Sequence, residues 1–223
     1  MPCDGVILDI MLRPMPVALV LAALAAVPIL AADDKPTGLV AVGDRFPTLT
    51  SEFLTGRTAT LPDAAQGKVA LIMMGFSYDS RFVVERWAGE FRTAFGTRAD
   101  VTFFEVPVIG GMGRLAKWFI DSGMRKGTPP ALHENVITVY GDVGRWKALM
   151  GFTNAGEHDA YLTLIDQTGR VVWVHHGPFD TTAFETLRAE IGRAIPGPPA
   201  GPHTVATAHR QRPACGGRSS ATS

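Results

Sequence analysis

Ser77, Tyr78, Asp79, Ser80 and Arg81 follow one another between an apolar run and a helical pattern. A turn there would expose hydroxyl, carboxylate and guanidinium groups together. Gly75-Phe76-Ser77-Tyr78-Asp79 places a serine on a strand-to-helix turn, as a nucleophile elbow does, but that motif's second glycine is absent. Ser77 and Ser80 therefore read as a turn residue and a cap beside the helix start. Gly111-Met112-Gly113-Arg114-Leu115-Ala116 fits the G-x-G-x-x-A turn that aims backbone N–H groups at a pyrophosphate, and Glu134 follows about twenty residues on. The strand before it is not the first of the chain, so a flexible turn is the expectation. His175 and His176 could hold a metal with His158 or His133, yet adjacent residues on a strand point to opposite faces. No cofactor and no metal are expected. The two cysteines, Cys3 and Cys215, stand near opposite ends, which excludes a disulfide framework, a cysteine zinc site and a Cys-x-x-Cys motif.

The elements that would position these groups lie in the middle of the chain. Its 223 residues allow one ordinary domain with tails. Twenty-one Lys plus Arg against 21 Asp plus Glu give a formal charge of zero, so no basic footprint for nucleic acid exists. A hydrophobic content of 46% excludes wholesale disorder. Residues 15–30 are nearly all apolar, with Arg13 before them and Ala31-Ala32-Asp33-Asp34 after. That pattern describes a signal peptide over residues 1–32, and residues 1–10 read as a start-site extension because Asp4 and Asp9 occupy the n-region. Pro16 and Pro28 argue against an anchor, since a spanning helix needs about 20 apolar residues. Residues 196–223 are rich in Pro, Gly, Ser and Arg and read as a disordered tail.

Residues 33–195 then form one domain. Residues 68–76 are a continuous apolar run, as a strand buried on both faces requires. Over residues 79–95 the period changes, with Val84, Trp87, Phe91 and Ala94/Phe95 at helical spacing and Gly96 at the end. Residues 100–109 give a second strand, followed by a helix carrying Leu115, Trp118 and Phe119. Residues 135–140 give a short strand, and Asp142 is placed to cap a helix holding Trp146, Leu149 and Met150 that Gly151 ends. Residues 161–166 and 170–175 form a hairpin around Gln167-Thr168-Gly169. Thr182-x-x-Glu185 reads as a capping box opening a helix with Phe184, Leu187, Ile191 and Ala194/Ile195 on one face. Residues 46–50 and 58–61 read as an edge strand pair. Trp87, Trp118, Trp146 and Trp173 all fall at apolar periodic positions and read as core.

Strand–helix–strand units, then a hairpin and a terminal helix, give an α/β sandwich with a mixed sheet. Three phrases carry a resemblance to a known fold: Val42-Gly43-Asp44-x-Phe46-Pro47, Gly67-Lys68-Val69-Ala70-Leu71-Ile72, and Leu164-Ile165-Asp166-x-x-Gly169-Arg170-Val171-Val172. The sequence resembles the thioredoxin-like superfamily, in its exported branch of periplasmic thiol-disulfide oxidoreductases and peroxiredoxins. The resemblance implies a three-layer sandwich, a central mixed β-sheet flanked by helices. It also implies a cysteine at the helix start after the first core strand, where dipole and free N–H groups favour the thiolate. Here the window holds Asp79, Ser80, Arg81 and Phe82, with Glu85 at the acidic position that follows. The cis-proline position falls on Ala160, where a cis bond would cost about 2.5–4 kcal/mol. Thiol-disulfide exchange and peroxide reduction are thus excluded at this site.

Tyr161-x-x-Leu164-Ile165-Asp166-x-x-Gly169-Arg170-Val171-x-Trp173, then Gly177, is similar to the ATP synthase assembly factors of mitochondria and their bacterial thioredoxin-like relatives. That resemblance implies a binding or chaperone role. The expectation is an exported, redox-inactive protein, periplasmic or secreted, with a protein partner in the cell envelope and membrane contact only through an uncleaved leader. Ser77, Tyr78, Asp79, Ser80 and Arg81 are its expected contact surface, bordered by Gly123-Met124-Arg125 and His175-His176-Gly177. The alternatives are a thioredoxin-fold enzyme with non-thiol chemistry, using Tyr78, Asp79 or Ser80, and a diverged oxidoreductase relative.

Overall fold

The computed structural model of the protein describes residues 38–111 and 115–195. The expected leader, the tail with Cys215, and residues 112–114 of the glycine-rich turn lie outside them. Seven strands run in the order β2-β1-β5-β4-β3-β6-β7. They are β1 (Leu49–Phe53), β2 (Thr58–Leu61), β3 (Val69–Gly75), β4 (Val101–Ile109), β5 (Ile137–Tyr140), β6 (Ala160–Ile165) and β7 (Val171–Gly177). The helices are α1 (Ser80–Phe95), α2 (Lys117–Gly127), α3 (Val143–Leu149) and α4 (Thr181–Ala194). β3, β4 and β5 are parallel, whereas β6 and β7 pair antiparallel beyond β3. This crossover unit, hairpin and terminal helix make the thioredoxin-like sandwich that the sequence phrases imply. The expected edge pair forms at Leu49–Phe53 and Thr58–Leu61, three residues later than expected for its first member, and β2 is the edge.

The sheet is central because β3 is buried at every position, as its unbroken apolar run requires. Its alternate side chains separate into two layers. Val69, Leu71 and Met73 pack with Val84, Trp87 and Phe91 of α1 and with Phe184, Leu187 and Ile191 of α4. Ala70, Ile72 and Met74 face the opposite way, onto Phe46, Trp146 and Leu149.

Three sequence expectations are corrected. The cap of α4 is Asp180, not Thr182: its backbone is extended and its Oδ1 accepts the Ala183 N–H at 2.8 Å, so the helix begins before the expected box. Asp180→Ala is expected to cost about 1 kcal/mol in thermal unfolding and Thr182→Ala well under half of that; equal losses would restore the box. Asp142 precedes α3, but its backbone is left-handed (φ 49°) and its side chain caps nothing. Among the tryptophans, Trp87 and Trp146 are buried, Trp173 is half-buried, and Trp118 is 74% exposed.

The three resembling phrases meet at one pole. Gly43 N–H donates to the Val171 carbonyl, Phe46 N–H to Gly169, and Gly67 N–H to Gln167. Asp166 Oδ1 accepts from the Thr168 and Arg170 N–H groups at 2.8 and 3.0 Å and from the Thr168 hydroxyl at 2.7 Å. Burial pushes that carboxyl up, but these bonds outweigh it and hold it below the ordinary carboxylate range. Gly169 needs its glycine, with φ +83° and Pro62 where a Cβ would lie. The Asp166-x-x-Gly169-Arg170 phrase is therefore explained by the construction of the hairpin.

Candidate functional site

The opposite pole, where β3 delivers the chain into α1, holds the five singled-out residues. Ser77 and Ser80 cap each other: Ser77 Oγ accepts the Ser80 N–H at 3.1 Å, and Ser80 Oγ accepts the Ser77 N–H at 3.2 Å. The Ser80 hydroxyl also donates to the Ser77 carbonyl at 2.7 Å, and Ser80 is fully buried. A Cβ on Gly75 would stand 2.6 Å from Ser80 Oγ, so glycine ends β3 because the cap needs that space. Ser80 is thus committed to structure, and one helix-head N–H is already satisfied internally.

What the turn presents to solvent is aromatic and cationic. Tyr78 is 71% and Phe82 53% exposed, and the Arg81 guanidinium lies 4.2 Å and 4.4 Å from their ring centres. Each such contact is worth about 0.5–1 kcal/mol at an exposed position, enough to preorganise the guanidinium. Asp79 is exposed at the helix start and caps nothing. Ser77 Oγ also lies 3.0 Å from His158 Nδ1, a contact across 81 residues that no local pattern reveals.

Beside this turn a groove of about 450 Å³ runs between α1 and α2. Tyr78, Arg81 and Glu85 form one wall, Phe119 and Met124 the other, and Glu105 of β4 lies in the floor. Gly123 borders it with nothing within 4 Å of an added Cβ. The α2 helix is turned contrary to its sequence pattern. Its anchoring stripe is polar: Lys117 Nζ reaches Asp121 at 2.7 Å and Glu52 at 3.0 Å, and Arg125 donates to the Leu54 carbonyl at 3.1 Å. Asp121, the one buried residue of α2, also accepts the Tyr140 hydroxyl at 2.7 Å. Burial lowers the Lys117 pKa, but its bonds to Asp121 and Glu52 prevail and raise it. Leu115, Trp118 and Phe119 are left outward, 77%, 74% and 69% exposed.

Sequence reasoning missed Glu105, although its signal was legible: one carboxylate inside an otherwise apolar strand. No described residue makes an ion pair or hydrogen bond with its side chain. Burial first, then the neighbouring Glu85 charge, pushes its carboxyl up to about 7, and Arg92 opposes them. Glu85, expected as the acidic residue after the motif window, therefore shares the groove with a second acid.

Other expectations separate. The Asp159–Ala160 peptide is trans, the single cis bond among the described residues being Leu61–Pro62. His133 Nε2 donates to the Thr128 carbonyl at 2.9 Å, and His176 stacks on Tyr161 with Nδ1 3.4 Å from Asp159 Oδ2. His175 stacks on Trp173, and burial, then the adjacent His176, lowers its pKa. Among the described residues no three His, Cys, Asp or Glu side chains converge as metal ligands, and no helix is long and apolar enough to cross a membrane.

No protein-family model and no curated protein matches the chain. Solved structures resemble it distantly. The thioredoxin domain of a thiol-disulfide oxidoreductase from Bacteroides vulgatus is 18% identical, with a TM-score of 0.47 over 68% of this chain and 98% of that one. The exposed lipoprotein thioredoxin of Streptococcus pneumoniae is 17% identical, with a TM-score of 0.45 over 64% and 98%. A thiol peroxidase from Chromobacterium violaceum is 16% identical, with a TM-score of 0.46 over 70% and 90%. By its own strand order the chain has the thioredoxin-like fold, and the head of its α1 helix carries Asp79, Ser80, Arg81 and Phe82.

Proposed function

We propose that this protein is an exported, redox-inactive thioredoxin-like module that binds another protein of the cell envelope. The observation that carries the reading is the exposed Tyr78–Arg81–Phe82 cluster at the helix head, continued across the groove by Trp118 and Phe119. Aromatic side chains and arginine are the residue types that dominate binding energy at protein interfaces. Contiguous apolar surface of this kind is uncommon on a solitary domain. Export rests on the apolar leader of the sequence, and a role in assembling a membrane complex rests on the resemblance of the hairpin phrase.

A second reading, non-thiol catalysis at the same turn, is favoured by the Ser77–His158 contact, which pairs a hydroxyl with a candidate base. One set of measurements separates the two. Affinity purification from envelope membranes is expected to recover a partner with the wild-type chain and at least about tenfold less with Arg81→Glu at unchanged melting temperature. Thiol, peroxide and ester substrates are expected to show no turnover. An ester turnover abolished by Ser77→Ala would establish the second reading instead, and a partner held equally by Arg81→Glu would remove the first.

A further inference from the structure

Resting on that binding reading, the groove between α1 and α2 gives the partner's chemistry. Its volume of about 450 Å³ accommodates a few side chains rather than a whole helix. Its walls offer apolar contact from Phe119 and Met124, while the carboxyl of Glu105 lies in the floor with no partner of its own. The charged groups around that carboxyl are Glu85 and Arg92 on α1, and Arg81 at the rim, whose guanidinium is already held between Tyr78 and Phe82. The groove lining from α2 contributes no charge. Two carboxyls thus stand among two guanidiniums, but Arg92 acts on Glu105 only at a distance and Arg81 is held between its rings, so no cation touches the Glu105 carboxyl.

We propose that this groove receives an apolar peptide segment of the partner protein that carries one lysine or arginine, whose cation pairs with Glu105. A half-buried carboxyl that lacks a partner is costly to ionise. A charge-assisted bond from an incoming cation removes that cost and fixes the register of the peptide. The exposed Leu115–Trp118 surface beyond the groove gives flanking apolar residues somewhere to lie, which a small amine would leave uncovered. Binding is then expected to weaken as pH falls below about 7, because the proton and the cation compete for one carboxyl.

The test is selection of a displayed library of short random peptides against the folded chain. It is repeated with Glu105→Gln, which keeps the shape, and with Gly123→Phe, which fills the groove from a position with open space around it. Wild type is expected to enrich a single basic residue flanked by apolar ones. Glu105→Gln is expected to lose the basic preference and to bind the selected peptide about 30-fold more weakly. Gly123→Phe is expected to bind none of these peptides while melting at the wild-type temperature. Peptides blocked by Gly123→Phe but enriched without a basic residue, or bound equally by Glu105→Gln, overturn the cation pairing and leave the binding reading intact. Failure to recover any groove-dependent peptide overturns the inference, while the envelope purification with Arg81→Glu decides the binding reading separately. Self-association that Gly123→Phe abolishes, or binding to phosphatidylcholine vesicles in place of peptides, overturns the inference in favour of a second copy or a lipid surface.

Discussion

Replacing Trp87 with alanine is expected to destabilise the fold by about 3–5 kcal/mol, while the same change at Trp118 shifts it by no more than about 0.5 kcal/mol. Trp87 has no exposed surface, and its ring lies 5.1 Å from Phe179, 6.1 Å from Phe184 and 5.7 Å from His175. Its Nε1 donates to the Gly177 carbonyl at 3.4 Å, so alanine would leave both a cavity and an unpaired carbonyl. Because it joins α1 to β7 and α4, surrounding groups cannot collapse into the space without moving an element. Trp118 touches Phe119 and stands mostly in water, so its loss removes little buried area. Urea unfolding of the two variants measures the difference. Comparable losses would mean that α2 turns its tryptophan inward, which would also remove the exposed surface on which the binding reading depends.

Glu105→Gln is expected to change the pH dependence of stability more than any other single substitution of an ionisable group here. The folded carboxyl titrates near 7 against an ordinary 4.5, so between these values the folded state holds a proton that the unfolded chain releases. Stability from this source is complete below about pH 4.5 and is lost as pH rises through about 7. The loss amounts to on the order of 2–3 kcal/mol by about pH 8. Glutamine does not titrate, so the variant gains on wild type by that amount between about pH 4 and pH 8. Urea midpoints across this range test it. A constant difference between the two proteins would show that water in the groove solvates the carboxylate and that nothing is stored there. The sign matters for function, because the empty groove then favours neutral Glu105 at pH 6 and a bound cation favours its ionised form.

The order of the elements was legible in the sequence. The unbroken apolar run of β3, the helical spacing of Val84, Trp87 and Phe91, and the glycine turn at Gly169 each depend on neighbours along the chain. So do the three resembling phrases, and the structure shows what they share: all lie at the hairpin pole, where Gly43, Phe46 and Gly67 bond to residues 167–171. They specify how the sandwich closes. The candidate site occupies the other end of β3, a strand of seven residues or about 20 Å away, so a resemblance in scaffold phrases says little about it.

The sequence by itself determined the layers, the strand order's parallel core and the absence of a cysteine from residues 79–82. Only the tertiary structure decided which way α2 faces, that Ser77 meets His158, and that Glu105 is left without a partner beneath a groove. Periodicity gives a helix an apolar stripe but not the surface it rests on. For α2 that choice falls to Asp121, which is buried only because Lys117 and Tyr140 stand where its charge can be paired. Turned the other way, α2 would lose the Lys117–Glu52 pair, the Tyr140–Asp121 bond and the Arg125 bond to the Leu54 carbonyl, so the helix keeps its paired acid inward and its tryptophan in the water.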